Sequence, residues 1–201
     1  MSNDEAGLRS QDPGTATQRF VPLRHPEAPD PGAQIPSHYA MCFGCGSEVP
    51  AGLHLAITAE AGLRVSAEFE VGEQHQGAPG LAHGGVLAAA FDEALGGLNW
   101  LLLVPAVTGT LETRFRRPVP VGHIVHIDAE IVGQEGRKVF TRAVGRIDGP
   151  DGPVAMDCDA VYIQVSLEHF KTHGRAEEVE RVAMERAVAP GGPAHSLDVN
   201  P

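Results

Sequence analysis

The run His75-Gln76-Gly77-Ala78-Pro79-Gly80-Leu81-Ala82-His83-Gly84-Gly85 is the densest gathering of histidine and glycine in the chain, and it leads straight into a long apolar segment. Glycines let a backbone approach a ligand closely. If the apolar segment is a helix, its first turn leaves N–H groups unpaired and pointing outward. Such a turn favours negative charge or a polarised carbonyl oxygen. The same residues also describe a tight turn with a glycine-rich helix start. Further along the segment stands Asp92, beside Glu93. A carboxylate in apolar surroundings is poorly solvated, which suits it to take a proton or to attack an electrophile. The alternative is a carboxylate on an exposed stripe, shared with Glu93. The two acids are not a catalytic pair, because neighbours on a helix point about 100° apart. At a rise of about 1.5 Å per residue, Gly84 and Asp92 lie roughly 12 Å apart, too far for both to act on one carbonyl carbon. If both serve one site, two copies of the chain must supply it, through antiparallel pairing of their helices across a two-fold axis.

The elements that must position these residues follow from periodicity. From Gly85 to about Leu103 the chain is apolar on nearly every face apart from Asp92, Glu93 and Asn99, which predicts a helix buried all round. Strict alternation predicts strands on either side of it. In Gly62 to Val71, Leu63, Val65, Ala67, Phe69 and Val71 face one way and Arg64, Ser66, Glu68 and Glu70 the other. Val107, Gly109, Leu111, Thr113 and Phe115 share a face, as do Val125, Ile127, Ala129 and Ile131. Two more runs, Lys138 to Ile147 and Val154 to Val165, flank the turn residues Asp148-Gly149-Pro150-Asp151-Gly152-Pro153. One buried helix followed by four strands on short links points to an α+β architecture, an antiparallel curved sheet wrapped around one long central helix. Residues 38–166 form this domain in our reading. Six of the 16 prolines fall before residue 37 without sustained periodicity, so residues 1–37 are expected to be a disordered Pro-rich N-terminal arm. Residues 167–201 are read as a C-terminal tail with a short helix over 175–187.

Composition excludes other classes. The chain has 201 residues, 42% of them apolar, the balance of an ordinary globular protein. With 15 Lys+Arg against 26 Asp+Glu the formal charge is −11, which argues against nucleic acid as the main partner. Asp92 and Glu93 near the middle of the longest apolar stretch argue against a membrane span. The start Met1-Ser2-Asn3-Asp4-Glu5 has neither the basic residues nor the apolar core of a secretory signal, so a cytoplasmic location is expected. No GxSxG elbow and no GxxxxGK[ST] loop occurs, against an α/β-hydrolase esterase and a P-loop nucleotidase.

Three cysteines are too few for a disulfide framework. Cys42 and Cys45 have the spacing of metal-ligating thiolates, but no second CxxC exists, and a site would need two more ligands, with His38 and His54 the nearest candidates. We read the pair as packing for the loop that leads into the first strand and expect no metal.

From about Tyr39 to Val165 the residues resemble a known family, the hotdog-fold acyl-CoA thioesterases, specifically the phenylacetate-pathway (PaaI-like) group. The resemblance rests on Cys42-Phe43-Gly44-Cys45-Gly46 with Gly52-Leu53-His54-Leu55, on His83-Gly84-Gly85 with Asp92 nine residues after the histidine, and on Arg116-Arg117-Pro118-Val119-Pro120. It implies hydrolysis of an acyl-CoA to a carboxylic acid and free coenzyme A, without a cofactor beyond the coenzyme A of the substrate. It implies self-association as a dimer or tetramer with sites between chains. In that scheme Gly84 N–H polarises the thioester carbonyl, His83 supports the turn, and Asp92 from the facing copy is nucleophile or general base. Thr108 matches a hydroxyl that some members use to hold water beside the acid; it reads equally as an exposed strand threonine. Relatives often carry an asparagine where this chain has Gly77, and Gln76 or His75 is the candidate substitute. Gly85, Gln76, Gly77, Arg116 and Arg117 are the expected substrate contacts. Between Leu111 and Arg146 seven Lys+Arg face four acids, a local excess suited to the phosphates of coenzyme A or, alternatively, to cross-strand ion pairs. Two other readings of the same fold stay open: an acyl-CoA hydratase or dehydratase with His83 as acid and base, and an acyl-CoA-binding protein without turnover.

Overall fold

Alternation of buried and exposed residues sets the faces of every long strand. The computed structural model describes residues 18–188. In chain order they form β1 (Gln34–Ile35), β2 (Ala56–Ala59), β3 (Arg64–Glu70), a short 3-10 turn, β4 (Gln76–Ala78), β5 (Leu81–Ala82), α1 (Gly84–Gly97) and a second 3-10 turn. Then follow β6 (Ala106–Phe115), β7 (Ile124–Glu135), β8 (Lys138–Ile147), β9 (Val154–Gln164), α2 (Leu167–His173) and α3 (Ala176–Val188). Seven strands make one antiparallel sheet in the order β1-β2-β3-β7-β8-β9-β6, and β4 pairs with β5 in a separate small ribbon. The sheet curves around α1, which packs on β3, β6, β7, β8 and β9. This is the curved antiparallel sheet around one central helix expected from the alternating runs and the single apolar helix, and it is the hotdog architecture that the resemblance implies.

The core lies between α1 and the concave face. Leu87, Ala90, Phe91, Ala94, Leu95 and Leu98 are buried against Val65, Ala67, Phe69, Val125, Ile127, Ala143, Met156 and Cys158. Phe91 is completely enclosed, and truncating it to alanine would cost about 3–5 kcal/mol. The helix is not buried all round in the single chain. Gly85 is exposed, and Ala88, Ala89, Asp92, Glu93 and Gly96 are half-buried. The all-apolar reading fails here because alanine and glycine are small enough to line either a core or a surface awaiting cover.

One correction concerns the N-terminal end, while the tail helix falls where it was expected. Residues expected in a disordered arm include a strap that uses backbone groups the sheet leaves unpaired. Phe20 exchanges N–H and C=O bonds with Gln134 at 3.0 and 2.7 Å, and Ile35 of β1 is buried beside β2. Arg24 Nη1 donates to the carbonyls of Glu60 and Gly62, both at 2.6 Å. Prolines removed donors from this segment, but extended backbone still pairs at a sheet edge. Past β9, α3 occupies the stretch given to a short tail helix, and α2 precedes it. The parts of the expected arm before residue 18 and of the tail after residue 188 lie outside the described residues. No helix among the described residues is long and apolar enough to cross a membrane.

Candidate active site

At the start of α1, His83 has extended backbone (φ −71°, ψ 131°) and caps the helix, its Nδ1 accepting from Gly85 N–H at 2.9 Å. The His83 backbone N–H donates to the His75 carbonyl at 2.7 Å. With the Gly85 donor taken by the cap, Gly84 N–H is the donor of this turn that has no backbone or side-chain acceptor among the described residues. Gly84 also lines a cleft of about 240 Å³ together with Leu87, Phe115, Arg116 and Arg117. The structure therefore joins the glycine turn to the arginine pair in one cleft.

Gln76 and Gly77 have roles inside the turn. The Gln76 side chain spans its own loop, donating to Glu73 and accepting from Gly80 N–H at 2.6 Å. Gly77 lies under the His83 side chain, and a Cβ at position 77 would stand 2.8 Å from His83 Cα and Cδ2. An asparagine cannot occupy that place with His83 as it stands. His75 is buried, with Nδ1 accepting from Gly72 N–H at 2.9 Å and its ring against Phe69. Burial pushes its imidazole below the usual histidine range. Neither Gln76 nor His75 therefore offers a side-chain amide in the manner of the missing asparagine.

Asp92 sits a little over two turns along α1, on the half-buried outer face. Its Oδ1 accepts from Thr108 Oγ1 and from Tyr162 Oη, both at 2.8 Å, and Tyr162 Oη lies 2.7 Å from the Asp92 carbonyl. Oδ2 accepts no hydrogen bond from the described residues. Burial, with the Asp92 charge next in weight, raises the Tyr162 phenol well above its usual range, so it stays a donor. Simple alternation would place Thr108 on the face opposite Leu111 and Thr113. A β-bulge at Gly109 shifts the register, so Thr108 pairs with Tyr162 and Leu111 with Ala160, and the hydroxyl turns toward the helix. Tyr162, 3% exposed, was missed in the sequence because nothing links β9 to α1 before the sheet closes.

The two groups do not meet. Because α1 is unbroken from Gly84 to Gly97, the separation of Gly84 and Asp92 remains roughly 12 Å.

The arginines divide. Arg114 binds Asp157, Asp159 and Glu112, and Arg116 Nε binds Asp157 Oδ2. Arg142 pairs with Glu130 at 3.3 Å. The local basic excess read from residues 111–146 is thus largely offset by acids of β9 that the sheet brings alongside. Arg117, exposed at the cleft, makes no ion pair among the described residues.

On the other side of α1, Glu93 meets the loop between β1 and β2. His38 Nδ1 lies 3.3 Å from Cys45 Sγ and 3.7 Å from Glu93 Oε1, and Cys42 Sγ lies 3.5 Å from Glu93 Oε2. Hydrogen bonding with Cys45 holds the Cys42 thiol well below its usual range, and the same contact pushes Cys45 up; burial raises Glu93. His54, named from sequence as a possible ligand, is exposed and outside this cluster.

Comparison with known proteins agrees with this fold. Residues 79–153 match the model of the family described as "Thioesterase superfamily". The chain is 35% identical over 82 residues to "Acyl-coenzyme A thioesterase THEM4" of Xenopus laevis, across 41% of this chain and 37% of that protein. It thus spans well under half the length of that relative. A crystal structure described as a "thioesterase superfamily protein" is 26% identical, with a TM-score of 0.55, over 61% of this chain and 62% of that one. A mutant of the phenylacetic acid degradation protein PaaI from Thermus thermophilus shares the fold, with a TM-score of 0.51 and 24% identity over 56% of this chain and 95% of that one. The resemblance to hotdog-fold thioesterases is borne out.

Proposed function

We propose that this hotdog chain, whose residues 79–153 match the thioesterase superfamily, hydrolyses an acyl-CoA thioester to a carboxylic acid and free coenzyme A at a site shared by two copies. The observation that carries the reading is Asp92, a carboxylate on the outer face of the central helix, held on one oxygen by Thr108 and Tyr162 with the other left for chemistry.

In this scheme the thioester carbonyl accepts from Gly84 N–H, whose turn is held by the His83 cap. Charge building on that oxygen in the transition state meets a fixed donor, which in such sites contributes about 2.7–4 kcal/mol. Asp92 of the facing copy either attacks the carbonyl carbon itself or takes the proton of the attacking water. On the general-base route the water oxygen bonds to the carbonyl carbon, the carbon–sulfur bond breaks, and the proton held by Asp92 passes to the departing thiolate. On the nucleophilic route an acyl–Asp92 anhydride forms as the carbon–sulfur bond breaks, and a water then cleaves that anhydride, freeing the acid and Asp92 and supplying the proton that the thiolate takes up. Arg117, with Arg116 beside it, faces the phosphates of the coenzyme. The route uses water and the chain's own groups.

Edge strand β6 supports sharing between copies. Antiparallel pairing of two β6 strands about their centre would lay the Phe115 end of one, next to Gly84, beside the Thr108 end of the other, next to Asp92. It would also cover the half-buried small residues of α1.

Thiol release from a panel of acyl-CoAs tests the proposal. At least one member should be hydrolysed, and Asp92→Asn should lower kcat by about 10²- to 10⁴-fold. Tight binding of acyl-CoA with no release of thiol from any member would instead make the chain a binding protein.

A further inference from the structure

Glu93 follows Asp92 on α1 yet takes no part in the site above. Its side chain, 16% exposed, enters the loop between β1 and β2 and meets His38, Cys42 and Cys45. One donor atom from each of the four residues lies within 4.8 Å of all the others. We propose that His38 Nδ1, Cys42 Sγ, Cys45 Sγ and a Glu93 carboxylate oxygen bind one divalent metal ion, zinc by their chemistry, as a structural site that fastens this loop to the middle of the central helix.

Tetrahedral zinc with bonds of about 2.0–2.3 Å sets its ligand atoms roughly 3.3–3.8 Å apart. Three contacts between donor atoms of different ligands, 3.3, 3.5 and 3.7 Å, fall in that range, the last two through different oxygens of Glu93. A set of one atom per residue lies within 4.8 Å, close enough for small side-chain rotations to complete the tetrahedron. Two thiolates and an imidazole select zinc over magnesium or calcium, which prefer all-oxygen sets. Four protein ligands leave no open position for water or substrate, so the site is structural and not catalytic. The surroundings are those of bound thiolates. Gly44 N–H donates to Cys42 Sγ at 3.3 Å, and Ser37 Oγ lies 3.3 Å from Cys45 Sγ.

The glycines of Cys42-Phe43-Gly44-Cys45-Gly46 fit the same purpose. A Cβ on Gly44 would stand 2.2 Å from Glu93 Oε2, so a side chain there would displace that carboxylate from its place beside the thiols. At Gly46 a Cβ would lie 2.5 Å from the Cys42 N and O atoms, within the turn closed by the Gly46 N–H bond to the Cys42 carbonyl at 2.8 Å. A loop evolved only for packing has no need to draw two thiols and an imidazole onto one half-buried carboxylate.

Full-length protein produced in zinc-supplemented medium and purified without chelator should carry about one zinc per chain by elemental analysis. Replacement with cobalt(II) should give thiolate-to-cobalt charge transfer and the intense ligand-field bands of a tetrahedral ion. The Cys42→Ser/Cys45→Ser variant should lose the metal and the spectrum. Should that variant fail to fold, the wild type still decides: zinc should protect both loop thiols from alkylation, leaving only buried Cys158 to be judged apart by peptide mass. The proposal is overturned by wild-type protein that takes up less than about a tenth of an equivalent of either metal, by a cobalt spectrum lacking thiolate charge transfer, or by metal retained without the two cysteines. None of these readouts depends on thioester hydrolysis, so the metal site and the catalytic reading fail or stand separately.

Discussion

If each site joins Gly84 of one copy to Asp92 of another, two inactive variants should repair each other. Asp92→Asn removes the carboxylate proposed as nucleophile or base. Gly84→Pro removes the single donor with little disturbance of the helix. Position 84 is the first helical residue, where proline's fixed φ and missing N–H are tolerated. His83 before it already has the extended backbone that a following proline requires (φ −71°, ψ 131°). A Cβ at 84 would lie 3.3 Å from the tip of Phe115, a ring 53% exposed and able to swing aside. Loss of one preorganised donor should lower kcat about 10²- to 10³-fold, and the Asp92 variant should fall at least as far. In a mixed dimer, one site combines the intact Gly84 of the Asp92→Asn chain with the intact Asp92 of the Gly84→Pro chain. The other site carries both defects. Mixed dimers isolated through two different affinity tags should therefore regain about half the wild-type rate per chain, far above either parent. Thiol release from the best acyl-CoA of the panel is the assay. A mixed dimer no more active than its parents, with both chains folded by circular dichroism, would refute the shared site and the 12 Å argument beneath it.

Other outcomes follow from the same contacts. His83→Ala should lose the cap on Gly85 N–H, lowering stability by about 0.5–2 kcal/mol in denaturant melts, and His83→Asn should restore stability and most activity; a histidine acting as acid or base would not be rescued by asparagine. Arg117→Ala should raise KM for acyl-CoA about tenfold, near 1.4 kcal/mol, while leaving KM unchanged for a short pantetheine thioester that lacks the nucleotide phosphates. Because burial holds the His75 imidazole below its ordinary 6.5, the unfolded chain binds more protons there once the pH falls under that value. Stability should thus decline with acid from about 6.5 down to the depressed folded value, and thermal melts of His75→Phe should lack that part of the decline.

Sequence alone reached the sheet because period-2 alternation survives in a half-buried strand whatever its neighbours do. Arg64–Glu70, Lys138–Ile147 and Val154–Gln164 all lie within their alternating runs. It reached α1 for the opposite reason, the absence of any polar face. Short elements escaped it. β1 has two residues and β2 four, too few for a period to register, and their pairing with β3 is decided by contacts tens of residues away. Charge misled in the same manner: the basic stretch 111–146 meets Asp157 and Asp159 only once β9 is laid beside β6 and β8.

The site divides along the same line. His83, Gly84 and Asp92 were legible because their spacing along one helix is local, and local spacing fixes their separation. Thr108 required the bulge at Gly109 to face the acid, and a lone glycine in an alternating run gives no sign of which face will follow it. Tyr162 and the grouping of Glu93 with His38, Cys42 and Cys45 are products of closure. Each depends on where β9 or the loop before β2 meets the helix. The two adjacent acids show how far local reasoning carries. Their roughly 100° divergence was predictable, and it sends Asp92 toward Thr108 and Tyr162 and Glu93 toward the cysteine loop. What waits on each side is a property of the folded sheet. The helix that presents Asp92 to Thr108 and Tyr162 is met, a single residue further on, by a loop whose thiols and imidazole converge on its neighbour.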